Sequence, residues 1–106
     1  MKYDINFTET AEADLRNIAL YITETSKEIN IAIDFVNELQ EQCNRLSDFP
    51  SIGAYPKDFV LKSLGYRFLV HKEYLIFYTI EEAEKSVYIQ AIFHGKKDYN
   101  RVFRII

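Results

Sequence analysis

Arg67 and His94 are the two side chains of this sequence best suited to chemistry. A guanidinium can clamp a phosphate bidentately, which an ammonium does less well. An imidazole transfers protons near neutral pH. Arg67 stands inside the greasy run Tyr66–His71, where a cation needs either water or a partner. That partner is either an anionic ligand or an acidic residue of the helical part of the chain. His94 ends an apolar run beside Gly95-Lys96-Lys97. It either moves protons or packs its ring as the end of a strand. His71 precedes Lys72-Glu73 and reads as a surface residue. Lys57, Lys62, Lys96 and Lys97 read most simply as a solvated face, and together they form the one patch that would attract an anion.

Other chemistries have no foothold. The sequence contains no Gly-rich phosphate loop, no His-x-Glu or Cys-x-x-Cys spacing and no Gly-x-Ser-x-Gly elbow. Neither histidine has carboxylates at ligand spacing, so no metal and no cofactor is expected. Cys43 is the single cysteine, which excludes an internal disulfide and reads as a small core residue. Tyrosines can stack on nucleobases, but in strands they more often fill a core edge. Tyr74 and Tyr78 read as core, and Tyr99 is open to either use.

The elements that must position these residues follow from hydrophobic period. Lys2–Phe7 alternates apolar and polar, a short strand with one buried face. Thr8 is the N-cap of a first helix, with Glu9, Glu12 and Asp14 near its positive end. Leu15, Ile18, Ala19 and Ile22 make its buried stripe. Thr23–Glu28 is polar and reads as a turn. A second helix over Ile29–Leu46 buries Ala32, Phe35, Val36, Leu39, Cys43 and Leu46, while Glu38, Glu41 and Arg45 face solvent. Pro50 ends it. From Tyr55 the period becomes that of strands. Phe59–Lys62 reads as a short edge strand, Tyr66–His71 and Tyr74–Ile80 as a pair joined at Lys72-Glu73, and Val87–His94 as a last strand. In that last strand Val87, Ile89, Ala91 and Phe93 share one face, with Tyr88, Gln90, Ile92 and His94 on the other. Lys96–Ile106 is a basic tail, either a helical turn or an added strand. The fold class is α+β: an N-terminal strand, an α-helical hairpin and a three- or four-stranded antiparallel sheet in two layers.

The 106 residues suffice for one domain, 1–106, and for one core. No apolar run approaches a membrane span, and the N-terminus has no signal-peptide core, so the expected location is the cytoplasm. The net charge of −3 hides an asymmetry. Residues 1–56 hold four Lys/Arg against ten Asp/Glu, a balance of −6, and residues 57–106 hold nine against six, a balance of +3. An anionic partner would meet the second half. The excess is too small for a dedicated nucleic-acid binder.

Five pieces of sequence, in this order, resemble the RelE/ParE toxin superfamily. They are Phe7-Thr8-x-x-Ala11-x-x-Asp14-Leu15-x-x-Ile18-x-x-Tyr21-Ile22, Leu46-x-x-Phe49-Pro50-x-x-Gly53, Gly65-Tyr66-Arg67, Tyr74-Leu75-Ile76-Phe77-Tyr78, and Ile92-x-His94 followed by Lys97-Asp98. The resemblance covers nearly the whole chain. It implies the toxin of a bacterial type II toxin–antitoxin module, often a plasmid stabilisation protein, that arrests growth and is neutralised by a cognate antitoxin. No small-molecule substrate and no membrane partner is implied.

Two mechanisms divide the superfamily. RelE-like members cleave mRNA on the ribosome, which requires the developing phosphorane charge to be neutralised. For that chemistry the resemblance nominates Arg67, His94 and Lys97. Asp58 and Val60, however, stand where RelE carries lysines, and Phe103 stands where it carries a catalytic tyrosine. ParE-like members poison DNA gyrase with no catalytic residues of their own, and the Ile92-x-His94-x-x-x-Asp98 ending resembles theirs. The ParE-like reading is therefore preferred, with RelE-like cleavage as the alternative and an inactive antitoxin-binding module as a third.

Overall fold

Residues 2–105 are described by a computed structural model, in which an α-helical hairpin lies on a four-stranded sheet. The strands are β1 (Asp4–Phe7), β2 (Arg67–His71), β3 (Tyr74–Glu81) and β4 (Ser86–His94). The helices are α1 (Glu9–Ser26), α2 (Ile29–Asn44) and α3 (Phe59–Ser63). The sheet order is β1-β4-β3-β2. It is mixed rather than antiparallel throughout, because β1 joins it parallel to β4. A parallel neighbour requires a long crossover, which the intervening helices and strands supply. No helix among the described residues is long and apolar enough to cross a membrane.

Local chemistry accounts for the helix ends. Thr8 Oγ1 accepts from the Ala11 N–H at 3.1 Å, the expected N-cap. The turn expected over Thr23–Glu28 is shorter, since α1 runs on to Ser26. Thr23 and Ser26 donate their hydroxyls to the carbonyls of Ala19 (2.8 Å) and Ile22 (2.7 Å), so polar side chains are accommodated within the last turns. Lys27 then closes the helix in the left-handed region at φ 62°. After α2 a 3₁₀ turn, Arg45–Ser47, continues the chain to Pro50.

The edge strand expected at Phe59–Lys62 is a helix instead. Asp58 accepts from the Leu61 N–H at 2.9 Å as N-cap. Tyr66 N–H donates to Leu61 O and Gly65 N–H to Lys62 O, with Gly65 at φ 87°, which is a Schellman ending. Leu61 is fully buried, while Phe59 is 80% exposed. Four residues are too few for period alone to separate the two conformations.

The last strand also departs from strict alternation. Phe77 pairs with Ala91 and Tyr78 with Ile89, so Gln90 is an extra residue, a β-bulge. The bulge exchanges the faces: Val87, Ile89 and Ile92 pack under the helices, and Ala91 and Phe93 pack on the reverse side. His94 follows Ile92 to the helix side, where it meets the Tyr74 ring edge-on. The reverse face is not bare. α3 and the tail cover it, burying Leu61 and Val102 against Phe77 and Phe93, so the two expected layers gain a partial third. Among its described residues the tail forms the 3₁₀ turn Tyr99–Arg104 and no added strand. Ile106 lies outside the described residues.

Tyr78 is buried as expected and Tyr74 partly so. The Tyr78 hydroxyl accepts from Gly53 N–H (2.9 Å) and donates to Pro50 O (2.7 Å), tying the loop after α2 to the sheet. A Cβ on Gly53 would stand 2.5 Å from that hydroxyl, so only glycine fits.

Lys27 is a direct test of the helix ending. A left-handed residue with a Cβ is strained, and glycine is not. Lys27→Gly is expected to raise unfolding free energy by about 0.5–1 kcal/mol after its entropic cost in the unfolded chain. Urea denaturation checks it, and an unchanged or lowered midpoint contradicts it.

Candidate functional site

Arg67 begins the edge strand β2, opposite Tyr78. Its guanidinium donates to Ser51 O (3.2 Å), Gly53 O (3.0 Å) and the Tyr55 hydroxyl (2.8 Å), and it stacks 4.1 Å from the Tyr55 ring centroid. No acidic residue of the helical hairpin pairs with it, which corrects that alternative. Its partners are neutral, so its positive charge is oriented but not cancelled. Lys62 lies over the same ring at 5.6 Å.

His94 is held on both nitrogens. Nε2 meets Glu73 Oε2 at 2.8 Å. Nδ1 accepts from the backbone N–H groups of Lys96 and Lys97, both at 3.1 Å. A nitrogen that accepts carries no proton, so the proton belongs on Nε2, facing Glu73. The side chain is 11% exposed. The imidazole thus closes the turn after β4, and a proton leaving it would pass through the Glu73 carboxylate.

Lys97 reaches Tyr21 of α1, with Nζ 2.8 Å from the hydroxyl and 4.9 Å from the ring centroid. The accepting hydroxyl raises the Lys97 pKa. Lys97 and His94 line one cleft of about 410 Å³ between α1 and the end of β4, together with Tyr21, Tyr74, Asp14 and Arg101. Arg67 is not part of it. His71, Tyr74 and His94 lie in register across β2, β3 and β4, and Arg67 is four residues further along β2. At standard strand dimensions the Cα atoms of Arg67 and His94 are roughly 16 Å apart. The three nominated residues therefore form two places. Two of the four lysines divide likewise, with Lys62 on Tyr55 and Lys97 on Tyr21.

His71 is not the surface residue expected. Its ring packs 5.7 Å from that of Phe35, and its Nε2 meets Glu38 at 2.8 Å. Glu38 correspondingly turns toward the sheet edge, where Lys72 also reaches it at 3.1 Å. The His71 hydrogen bond, then that of Lys72, holds the Glu38 carboxyl below the usual range. Burial alone pushes the Cys43 thiol up to about 12, leaving it unreactive. Among the described residues no group of three or more His, Cys, Asp or Glu is placed to hold a metal ion.

Sequence reasoning missed the pair Asp14–Arg101. Asp14 is buried, well past the helix start where it was assigned to the dipole. Its Oδ1 and Oδ2 accept from Arg101 at 2.7 and 3.0 Å, and Oδ2 also accepts from the Ile92 N–H at 2.9 Å. The available signal was its position: Asp14 stands three residues after Ala11 and four before Ile18, inside the buried stripe.

Two outcomes test these assignments. His94→Ala leaves two turn N–H groups without an acceptor and is expected to cost about 1–3 kcal/mol. His94→Asn can place Oδ1 near the Nδ1 position and is expected to recover much of that loss in the same denaturation series. The Glu38 carboxylate has a lowered folded pKa, so its contribution is whole above the unfolded value and fades as pH falls through the folded one. Glu38→Gln should therefore be less stable than the parent at pH 7, and the gap should narrow at a pH well below the ordinary glutamate value. An equal gap at both pH values contradicts this.

The likenesses to known proteins agree with this geometry. The family described as ParE toxin of the type II toxin-antitoxin system, parDE, matches residues 5–99. No curated protein sequence matches. Among solved structures, the chromosomal ParDE system of P. aeruginosa shares 21% identity at a TM-score of 0.71, over 88% of this chain and 96% of that one. The RelBE2 toxin–antitoxin complex of Mycobacterium tuberculosis shares 22% at 0.59, over 89% and 99%. A free mutant of the E. coli toxin RelE shares 15% at 0.66, over the whole of both chains. At these identities the structures establish the fold, and the family match establishes more: this chain belongs to the ParE toxin family of type II toxin–antitoxin systems.

Proposed function

We propose that this toxin arrests growth by inhibiting DNA gyrase, as a protein that binds its target rather than as a nuclease. One observation supports the reading above others. The side chains nominated for RNA cleavage are engaged by their own chain, and Arg67 stands apart from the cleft that His94 and Lys97 share: Arg67 is held by two carbonyls and Tyr55, His94 between Glu73 and two backbone N–H groups, and Lys97 by the Tyr21 hydroxyl. Phosphoryl-transfer catalysis requires an acid or base and a cation converging on one phosphate. A binding function requires only a rigid surface.

The proposed second partner is a cognate antitoxin. Leu20 and Ile29 on the hairpin and Val70 on the β2 edge are exposed apolar residues on which an amphipathic helix or a strand would dock. The P. aeruginosa and M. tuberculosis structures are toxin–antitoxin systems, which supports this partner.

RelE-like mRNA cleavage is the second reading, favoured by Arg67 and Lys62 flanking the exposed ring of Tyr55. Pulse-labelling of DNA and protein synthesis after induction of the chain alone separates the two. DNA synthesis is expected to stop first, and the purified chain is expected to inhibit gyrase supercoiling. Protein synthesis stopping first would transfer the assignment to RNA cleavage. No effect on either would leave an antitoxin-binding module.

A further inference from the structure

The Asp14–Arg101 pair has no part in either mechanism, yet it is the most elaborate polar contact in the molecule's interior. Its side chains are 8% and 27% exposed. Arg101 belongs to the six-residue 3₁₀ turn Tyr99–Arg104, and Asp14 to the middle of α1. Stability alone is a poor reason for it, because buried ion pairs seldom outperform apolar residues of similar volume. Orientation is a better one. A bidentate guanidinium–carboxylate contact fixes both direction and distance.

What it orients is visible on the other side of the turn. Val102 is buried beneath, while Tyr99 and Phe103 are 52% and 68% exposed with their rings 6.3 Å apart and edge to face. Both rings project from a turn pinned by Arg101 within and Val102 below. Charge adds a direction. Residues 96–106 hold Lys96, Lys97, Arg101 and Arg104 against Asp98, a balance of +3. Arg101 is neutralised by Asp14, leaving Lys96, Lys97 and Arg104 exposed on the same segment against one exposed acid, Asp98.

The geometry points to Asp14 and Arg101 as a positioning pair that holds the C-terminal turn so that Tyr99 and Phe103 engage an acidic, apolar-pocketed surface of the protein target. Exposed aromatic anchors on a segment of net positive charge have the composition of a binding hot spot. The inference deepens the proposed function and rests on its protein target.

The test uses the full chain under a titratable promoter, reading the induction level that halves growth. Tyr99→Ala combined with Phe103→Ala removes only exposed rings. It is expected to keep the parent's melting temperature and to need roughly tenfold more protein for arrest. Arg101→Gln is expected to lose arrest similarly, and Arg101→Lys, which keeps the charge but not the two-pronged contact, to recover only part of it. In Arg101→Gln, amide exchange should quicken over residues 99–104 while the Ile92 amide, still bonded to Asp14, stays protected. Full arrest by the double aromatic variant overturns the inference. So does an Arg101→Gln protein whose exchange quickens evenly along the chain, which would make the pair merely structural. Plain duplex DNA bound by the parent and lost in the aromatic variant would overturn the protein-surface assignment. Because growth is read directly, a parent chain that arrests growth but leaves gyrase unaffected counts against the gyrase target alone.

Discussion

β4 is nine residues long and its parallel neighbour β1 only four, so half of β4's outer edge has no strand to pair with. An unpaired edge inside a fold must find donors and acceptors elsewhere. Helix α1 supplies them. Thr8, at its start, gives its backbone N–H to Ile89 O and its hydroxyl to the carbonyls of Ile89 and Gln90. Asp14, two turns on, takes the Ile92 N–H. The bulge at Gln90 falls between these contacts and sets which face each later residue occupies. A carboxylate placed for that purpose cannot remain buried alone. It draws in Arg101, and with Arg101 the tail is seated across the reverse face. One short strand thus leads, contact by contact, to the placement of the C-terminal turn.

The same accounting bears on catalysis. A residue that is to move protons or hold a reacting phosphate needs lone pairs or N–H groups left free. His94 uses both ring nitrogens on its own chain. Arg67 gives N–H groups to two carbonyls of the loop after α2 and to the Tyr55 hydroxyl. Each is a cation or base by type and a brace by position. The loop that Arg67 braces also explains Gly53 and Tyr78, whose close approach leaves no room for a side chain.

How much of this the sequence revealed depended on the range of the interaction. The α1 and α2 stripes and the β2–β3 pair were legible, since period and a two-residue turn are local. The α3 helix was not, because Phe-Val-Leu-Lys suits a strand equally, and its Asp58 cap and Gly65 ending form only together. The bulge could not be read from alternation, which is the very rule it breaks. Arg67's acceptors are carbonyls, which no residue type announces. Asp14 and Arg101 are 87 residues apart, and only the oddity of an acid within an apolar stripe hinted that a partner existed.

Folding also rearranges the charge asymmetry that the sequence displays. The acidic first half and the basic tail meet at Asp14–Arg101, where one charge of each sign is consumed. Most of the others stay outward. Glu12, Glu24, Glu28, Asp34 and Glu41 face solvent on the hairpin, and Lys96 and Arg104 face solvent at the tail. Exposed charges of opposite sign on separate elements select different partners, because like-charge juxtaposition at an interface is costly. A protein that covers the hairpin meets mostly carboxylates, and one that covers the tail meets mostly cations. By charge, therefore, the surface is suited to two partners of unlike character, and a module that must both strike a target and be silenced needs two.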